Sequence, residues 1–188
     1  MILAIAAALS HGAAYCMYLT QVFAGSSVPN PASWSIWAYL SALNAVTFWR
    51  GSKDALATAQ FFTGSVGCIT VWMYSIWAGR FAPINTLGWI VLVLCLTACL
   101  VWWLTRSAVY ANLMVGGILT ISFIPTFAGV FHAATIERAL PWYLWTLAFA
   151  ITTTNVVRRR RQARWWLMLV TPILGMICHG VVAVVARG

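Results

Sequence analysis

The charged residues of this chain fall in short intervals between long uncharged apolar stretches, and this segregation constrains the fold more than any motif does. A charged side chain is costly in hydrocarbon, so the intervals mark loops and the stretches mark membrane spans. The spans read this way are Ile2–Ala24, Ala32–Trp49, Ala55–Ala78, Leu87–Leu104, Ala108–Phe131, Leu140–Val157 and Trp165–Ala186. Each is about the length needed to cross a hydrocarbon core of roughly 30 Å. A soluble domain could not hide a composition that is 63% hydrophobic and 7% charged, with a mean hydropathy of +0.89. The connectors, such as Gly25–Pro31 and Arg50–Asp54, are turn-like and too short for a further domain. The spans lack the alternation of an outer-membrane barrel. The first has no basic flank and exceeds a signal-peptide core, so it is expected to persist as a helix. The expected fold class is an all-α integral membrane protein of seven transmembrane helices in one compact domain.

Basic residues set the expected orientation. Arg50, Lys53, Arg106, Arg158, Arg159, Arg160, Arg161 and Arg164 fall on one face, and Arg80, Arg138 and Arg187 on the other. Eight against three places the amino terminus in the cytoplasm and the carboxyl terminus outside, in a membrane expected to be the bacterial inner membrane. The net charge is +9 and the pI near 10.0. Arg158 to Arg161 and Arg164 nevertheless sit between apolar spans, where they are expected to meet anionic lipid headgroups and not nucleic acid. Of twelve tryptophans, Trp34, Trp37, Trp77, Trp89, Trp142 and Trp145 are expected near the outer boundary and Trp49, Trp102, Trp103, Trp165 and Trp166 near the inner one, as an aromatic belt. Trp72 alone lies well inside a span.

Sliding the chain against itself by 108 residues superposes the first three spans on the last three. The shift pairs Trp34 with Trp142, Trp37 with Trp145, Arg50 with Arg158, Thr63 with Thr171 and Gly67 with Gly175. Two three-helix units fused directly would point in opposite directions, and the fourth span restores a common orientation. The expected architecture is therefore three plus one plus three: a first unit over residues 1–80, a linker helix over 81–107 and a second unit over 108–188.

This layout, with the junction Gly25-x-x-x-Pro29-x-Pro31-x-Ser33-Trp34-x-x-Trp37 and its echo Glu137-Arg-Ala-Leu-Pro141-Trp142-x-x-Trp145, resembles the SWEET and PQ-loop group of seven-helix transporters. The chain departs from that group in lacking the Pro-Gln pair at both junctions, in having no first-span proline to match Pro125, and in its expected cytoplasmic amino terminus. The resemblance implies a pocket between the two units and a rocking motion that exposes it alternately, with Pro125 and Pro172 as hinges.

Polar groups inside spans are expensive unless they face a partner or a cavity. Asn44 and Gln60 fall at comparable depth on antiparallel spans, where they either share a cavity or hydrogen-bond across a helix contact. His11 and His179 are the clearly intramembrane histidines; buried neutral imidazoles are the simpler reading, and haem or metal ligation the other. Both acids, Asp54 and Glu137, are placed in loops, which disfavours proton coupling through an intramembrane carboxylate. The seventh span has no Lys for a retinal Schiff base, and the five cysteines read as small hydrophobes. No enzyme motif stands out and no cofactor is called for. The expected function is facilitated passage of a small polar metabolite, such as a sugar or vitamin, by alternating access. Asn44, Gln60, Trp72, Asn112 and His179 are the candidate substrate-binding residues. A non-transporting membrane subunit or receptor, and a haem or metal carrier, are the alternatives, and oligomerisation is left open.

Overall fold

The structure, a computed structural model, describes residues 1–105, 108–133, 135–158 and 167–186, with side chains for all of these except 51, 98, 99, 101, 102, 105, 108–112 and 167. The described residues form eight helical segments and no strand: α1 (Ile2–Phe23), α2 (Pro31–Ser52), α3 (Ala55–Trp77), α4 (Thr86–Thr105), α5 (Ala108–Ile121), α6 (Ile124–Phe131), α7 (Ala139–Arg158) and α8 (Leu167–Val185). Local chemistry sets the boundaries. Asn30 caps α2, its Oδ1 accepting from the Ala32 and Ser33 amides at 3.1 Å, and Pro31 supplies a first-turn residue that needs no donor. Asp54 caps α3 through the Ala57 amide at 2.9 Å. Gly25 and Gly79 follow α1 and α3 at φ +71° and +60°, where a side chain would be strained.

Four helical stretches, Ile2–Phe23, Ala55–Trp77, Leu113–Phe131 and Met168–Val185, are long and apolar enough to cross a membrane. The side-chain distribution has the polarity expected of a protein in lipid. Large apolar side chains such as Leu9, Val66, Met73, Leu94 and Val184 face outward, while His11, Ser33, Asn44, Gln60, Ser75 and Thr152 are buried.

The helices close into a ring. α3 packs against both α1 and α2, and α8 against both α7 and the α5–α6 rod. The ring is completed by α1 against α7 and α2 against α5 and α6. Within each triplet the helix that comes last in the chain thus lies between the other two. α4 stands outside the ring, packed on α2, α5 and α6. Lipid provides no hydrophobic drive for helix association, so close approach and dispersion must supply it. Glycines provide the approach: a Cβ at Gly67 would overlap the Tyr15 ring of α1, and one at Gly175 would press on the Phe149 ring of α7. This pair, matched at the 108-residue shift, therefore has a packing role in both triplets.

The fifth expected span, Ala108–Phe131, is broken into α5 and α6 at Ser122–Phe123. Pro125 has no N–H to give the Ile121 carbonyl, and its ring crowds that position. The break is tied to α2: Ser33 Oγ donates to the Ser122 carbonyl at 2.6 Å, and Trp37 Nε1 donates to Ser122 Oγ at 2.6 Å. Thr126 Oγ1 in turn donates to Ser33 Oγ at 2.8 Å. Pro172 lies inside α8 and is buried.

Four of the six tryptophans assigned from sequence to the outer belt are not at a lipid interface. Trp34, Trp37, Trp142 and Trp145 are 1%, 6%, 0% and 2% exposed, because positions i and i+3 share one helix face and α2 and α7 turn that face inward. Trp77, Trp89, Trp49 and Trp103 are exposed, as belt residues should be. Overpacking a tight helix crossing costs about 1–3 kcal/mol. Gly67→Leu should therefore lower the thermal midpoint of the purified protein by roughly 5 °C. Gly117→Leu, at a position with open space around it, should leave the midpoint within about 1 °C when both are followed by differential scanning fluorimetry in one detergent.

Candidate functional site

The ring encloses a cavity. It leaves about 80 Å³ for the centres of water-sized molecules, and a single water needs about 10–15 Å³ on that measure, so it takes several waters or a small ligand. Six helices line it: His11 and Tyr15 from α1, Asn44 from α2, Phe61 from α3, Thr120 from α5, Phe149 from α7 and His179 from α8, with Phe123 from the α5–α6 break. No described side chain of α4 lines the wall.

The wall is mainly aromatic. Four indoles form a closed circuit across the two triplets, with ring centroids 5.2 Å apart for Trp34–Trp37, 6.2 Å for Trp37–Trp142, 5.0 Å for Trp142–Trp145 and 6.3 Å for Trp145–Trp34. Most meet edge to face, the geometry that brings a positive ring edge to a negative face. His179 sits among Phe123, Trp142, Trp145 and Phe149 at 4.9–5.7 Å. Phe149 also lies 5.3 Å from His11, so one ring separates the two histidines.

Hydrogen bonds fix both imidazoles. His179 Nδ1 donates to the Gly175 carbonyl at 2.6 Å, since a carbonyl can only accept. His11 Nδ1 faces Gln60 Nε2 at 2.9 Å, and an amide nitrogen only donates, so this ring nitrogen accepts and the proton sits on Nε2. Gln60 Oε1 accepts from the Thr152 hydroxyl, joining α1, α3 and α7.

The sequence-derived candidates separate on this geometry. Asn44 and His179 line the cavity. Gln60 does not; it is 1% exposed and holds His11 from behind, a cross-helix hydrogen bond of the kind weighed for it from sequence. Trp72 is also off the wall, its Nε1 donating to Ser35 Oγ at 2.9 Å. The side chain of Asn112 lies outside the described residues, as do Arg159, Arg160, Arg161 and Arg164; Arg158 ends α7 and is exposed. Pro125 and Pro172 are absent from the wall, although Thr171, next to Pro172, lines it. Among the described residues no three His, Cys, Asp or Glu side chains gather where they could hold a metal ion. Sequence reasoning missed the tryptophan circuit. The recurrence of Trp-x-x-Trp at the 108-residue shift was the available clue, because a belt requires no such register.

Glu137 was also missed. It lies in the loop before α7, as expected, but is 4% exposed. Tyr18 donates to its Oε1 at 2.9 Å, and Trp142 Nε1 to its Oε2 at 3.2 Å. Tyr18 stacks on Trp34 at 4.8 Å, so a single carboxyl group supports both repeat-matched tryptophans. Around it the two junction loops join, Val28 N donating to the Ile136 carbonyl at 2.8 Å and Arg138 N to Ser27 Oγ at 3.1 Å. The two joined loops thus form a cap at this end of the bundle.

Burial pushes the Glu137 carboxyl up to about 8 against an ordinary 4.5, with the Tyr18 and Trp142 hydrogen bonds pulling the other way. Between those values the folded cap holds a proton that an opened or unfolded chain releases, so its stability is fullest below about 4.5 and falls as pH rises toward about 8. The thermal midpoint should accordingly decline from pH 5 to pH 8.5. Glu137→Gln, which mimics the protonated carboxyl, should flatten that decline; an unchanged slope in the variant would show that Glu137 is not its source.

No protein-family model, curated protein or solved structure matches this chain, so the character of the site rests on its own residues.

Proposed function

We propose that this chain is a seven-span membrane facilitator of the SWEET-like kind, built as three plus one plus three. In this reading α1–α3 and α5–α8 are two similarly oriented units, α4 is the linker, and the central cavity carries a small polar metabolite from one face to the other by alternating access. The observation that carries it is the ring itself: both triplets place their last helix between the other two, and the cavity lies where the triplets face each other. An internal cavity that offers a few polar groups on an aromatic wall gives a bundle in lipid something to move or hold, whereas a purely structural subunit would be expected to seal. The linker's position outside the ring fits a helix whose task is to restore orientation.

The same reading places the amino terminus in the cytoplasm of a bacterial cell, by the eight-to-three distribution of basic residues, and sets the arginines that follow α7 against anionic headgroups. Prolines near the α5–α6 break and within α8 supply the flexible points of the second unit.

Two measurements test this. In a background with the five cysteines replaced, Lys53→Cys should react in intact cells only with a membrane-permeant maleimide, and Arg80→Cys should be blocked by an impermeant one. The reverse pattern inverts the molecule, and reaction of both from outside removes the seven-span topology. In proteoliposomes, counterflow across a panel of neutral metabolites should be saturable for at least one. Absence of flux for the whole panel, from monodisperse and folded protein, would favour a binding role over transport.

A further inference from the structure

Most polar groups around the cavity are already spent. Thr120 Oγ1 donates to the Gly116 carbonyl at 2.8 Å, and Tyr15 Oη pairs with Cys68 Sγ at 2.9 Å. Three buried atoms of lining residues have no partner: Asn44 Oδ1, an acceptor, Trp145 Nε1, a donor, and Ser41 Oγ, a hydroxyl that can act as either. The histidines add one of each. His11 has its Nδ1 taken by Gln60 and presents Nε2–H. His179 has its Nδ1 proton held by Gly175, and with no carboxylate among the described lining residues to balance a second proton its Nε2 is a bare acceptor.

The unspent inventory is thus two donors, two acceptors and one hydroxyl, on a wall that among the described residues carries no Asp, Glu, Lys or Arg and is dominated by ring faces. An anion would meet the lone pairs of Asn44 and His179. A cation would be drawn to the ring faces but would leave the Trp145 and His11 donors with nothing to receive them. A monosaccharide carries hydroxyls around its whole rim, each both donor and acceptor, and those beyond these five groups would be buried unpaired. Building on the facilitator reading, we infer that the cavity takes a small, neutral, flat ring carrying both N–H donors and carbonyl acceptors, a cyclic imide or lactam, stacked on the aromatic wall.

Uracil, with two ring N–H groups and two carbonyls, is the probe. Its binding to the purified full chain is measured by isothermal titration, and its counterflow in proteoliposomes. Orotate adds a charge to the same ring; glucose and choline represent the excluded classes. Uracil should bind saturably, with the other three at least about tenfold weaker. Trp145→Phe keeps the ring and removes only the N–H, and Asn44→Leu removes the acceptor; each should weaken uracil binding by about fivefold or more while size-exclusion profile and circular dichroism stay unchanged. Orotate, glucose or choline binding as tightly as uracil, no saturable uracil binding, or wild-type affinity in both variants overturns the ligand class. Saturable flux of another metabolite without uracil binding upholds the facilitator and overturns this inference. Uracil bound but not moved upholds the ligand class and overturns the facilitator.

Discussion

The contact on which the rest of this structure depends is the circuit of four indoles, Trp34, Trp37, Trp142 and Trp145. In a bilayer nothing expels apolar surface from the space between helices, so the ring of helices is held by what fits inside it. Two tryptophans from α2 and two from α7 provide that fit with the largest, stiffest side chains available, each aromatic pair adding about 0.5–1.5 kcal/mol beyond its buried area. The other features of the site are arranged around the circuit. Tyr18 stacks on it, Glu137 anchors it at the loop end, Ser122 receives one of its N–H groups, and His179 is seated against it. The cavity is the space these rings leave open.

A polar scaffold holds the cavity's polar groups in register. Gln60 never reaches the ligand space, yet it decides which nitrogen of His11 does so as a donor, and Gly175 does the same for His179. The second layer thus sets the hydrogen-bonding character of the first, as supporting partners of ligating histidines do elsewhere. The glycines opposite Tyr15 and Phe149 serve the same end by bringing the helices close enough for those rings to project inward.

Much of the fold was legible because lipid imposes so blunt a rule. Charge segregation located the helices to within three residues at each end that the structure describes, and the fifth needed only its break added at Ser122. The sites were less legible, for a reason visible in individual residues. Polarity and depth identify Asn44 and His179 but cannot tell them from Gln60, whose side chain differs only in which way its helix face turns. Tryptophan is ambiguous in the same manner, since an indole suits both a lipid interface and a buried wall; Trp77 is exposed and Trp142 buried, though both were placed at the outer boundary from sequence. Glu137 was read only as a loop acid, because sequence does not reveal that one junction loop folds over the other and buries it.

The break between α5 and α6 makes the two triplets mechanically unequal. α1, its counterpart, runs unbroken over 22 residues, whereas the α5–α6 rod has lost its internal continuity at Ser122 and borrows it from the Ser33 hydroxyl of a neighbouring helix. A rod that is spliced by an outside hydroxyl bends only when the splice is undone. In the proposed two-unit reading, displacement of one triplet against the other is borne by a single joint, with α1 to α3 as the frame and α6 as the arm. The symmetry proposed for the chain's layout therefore would not extend to symmetry of motion.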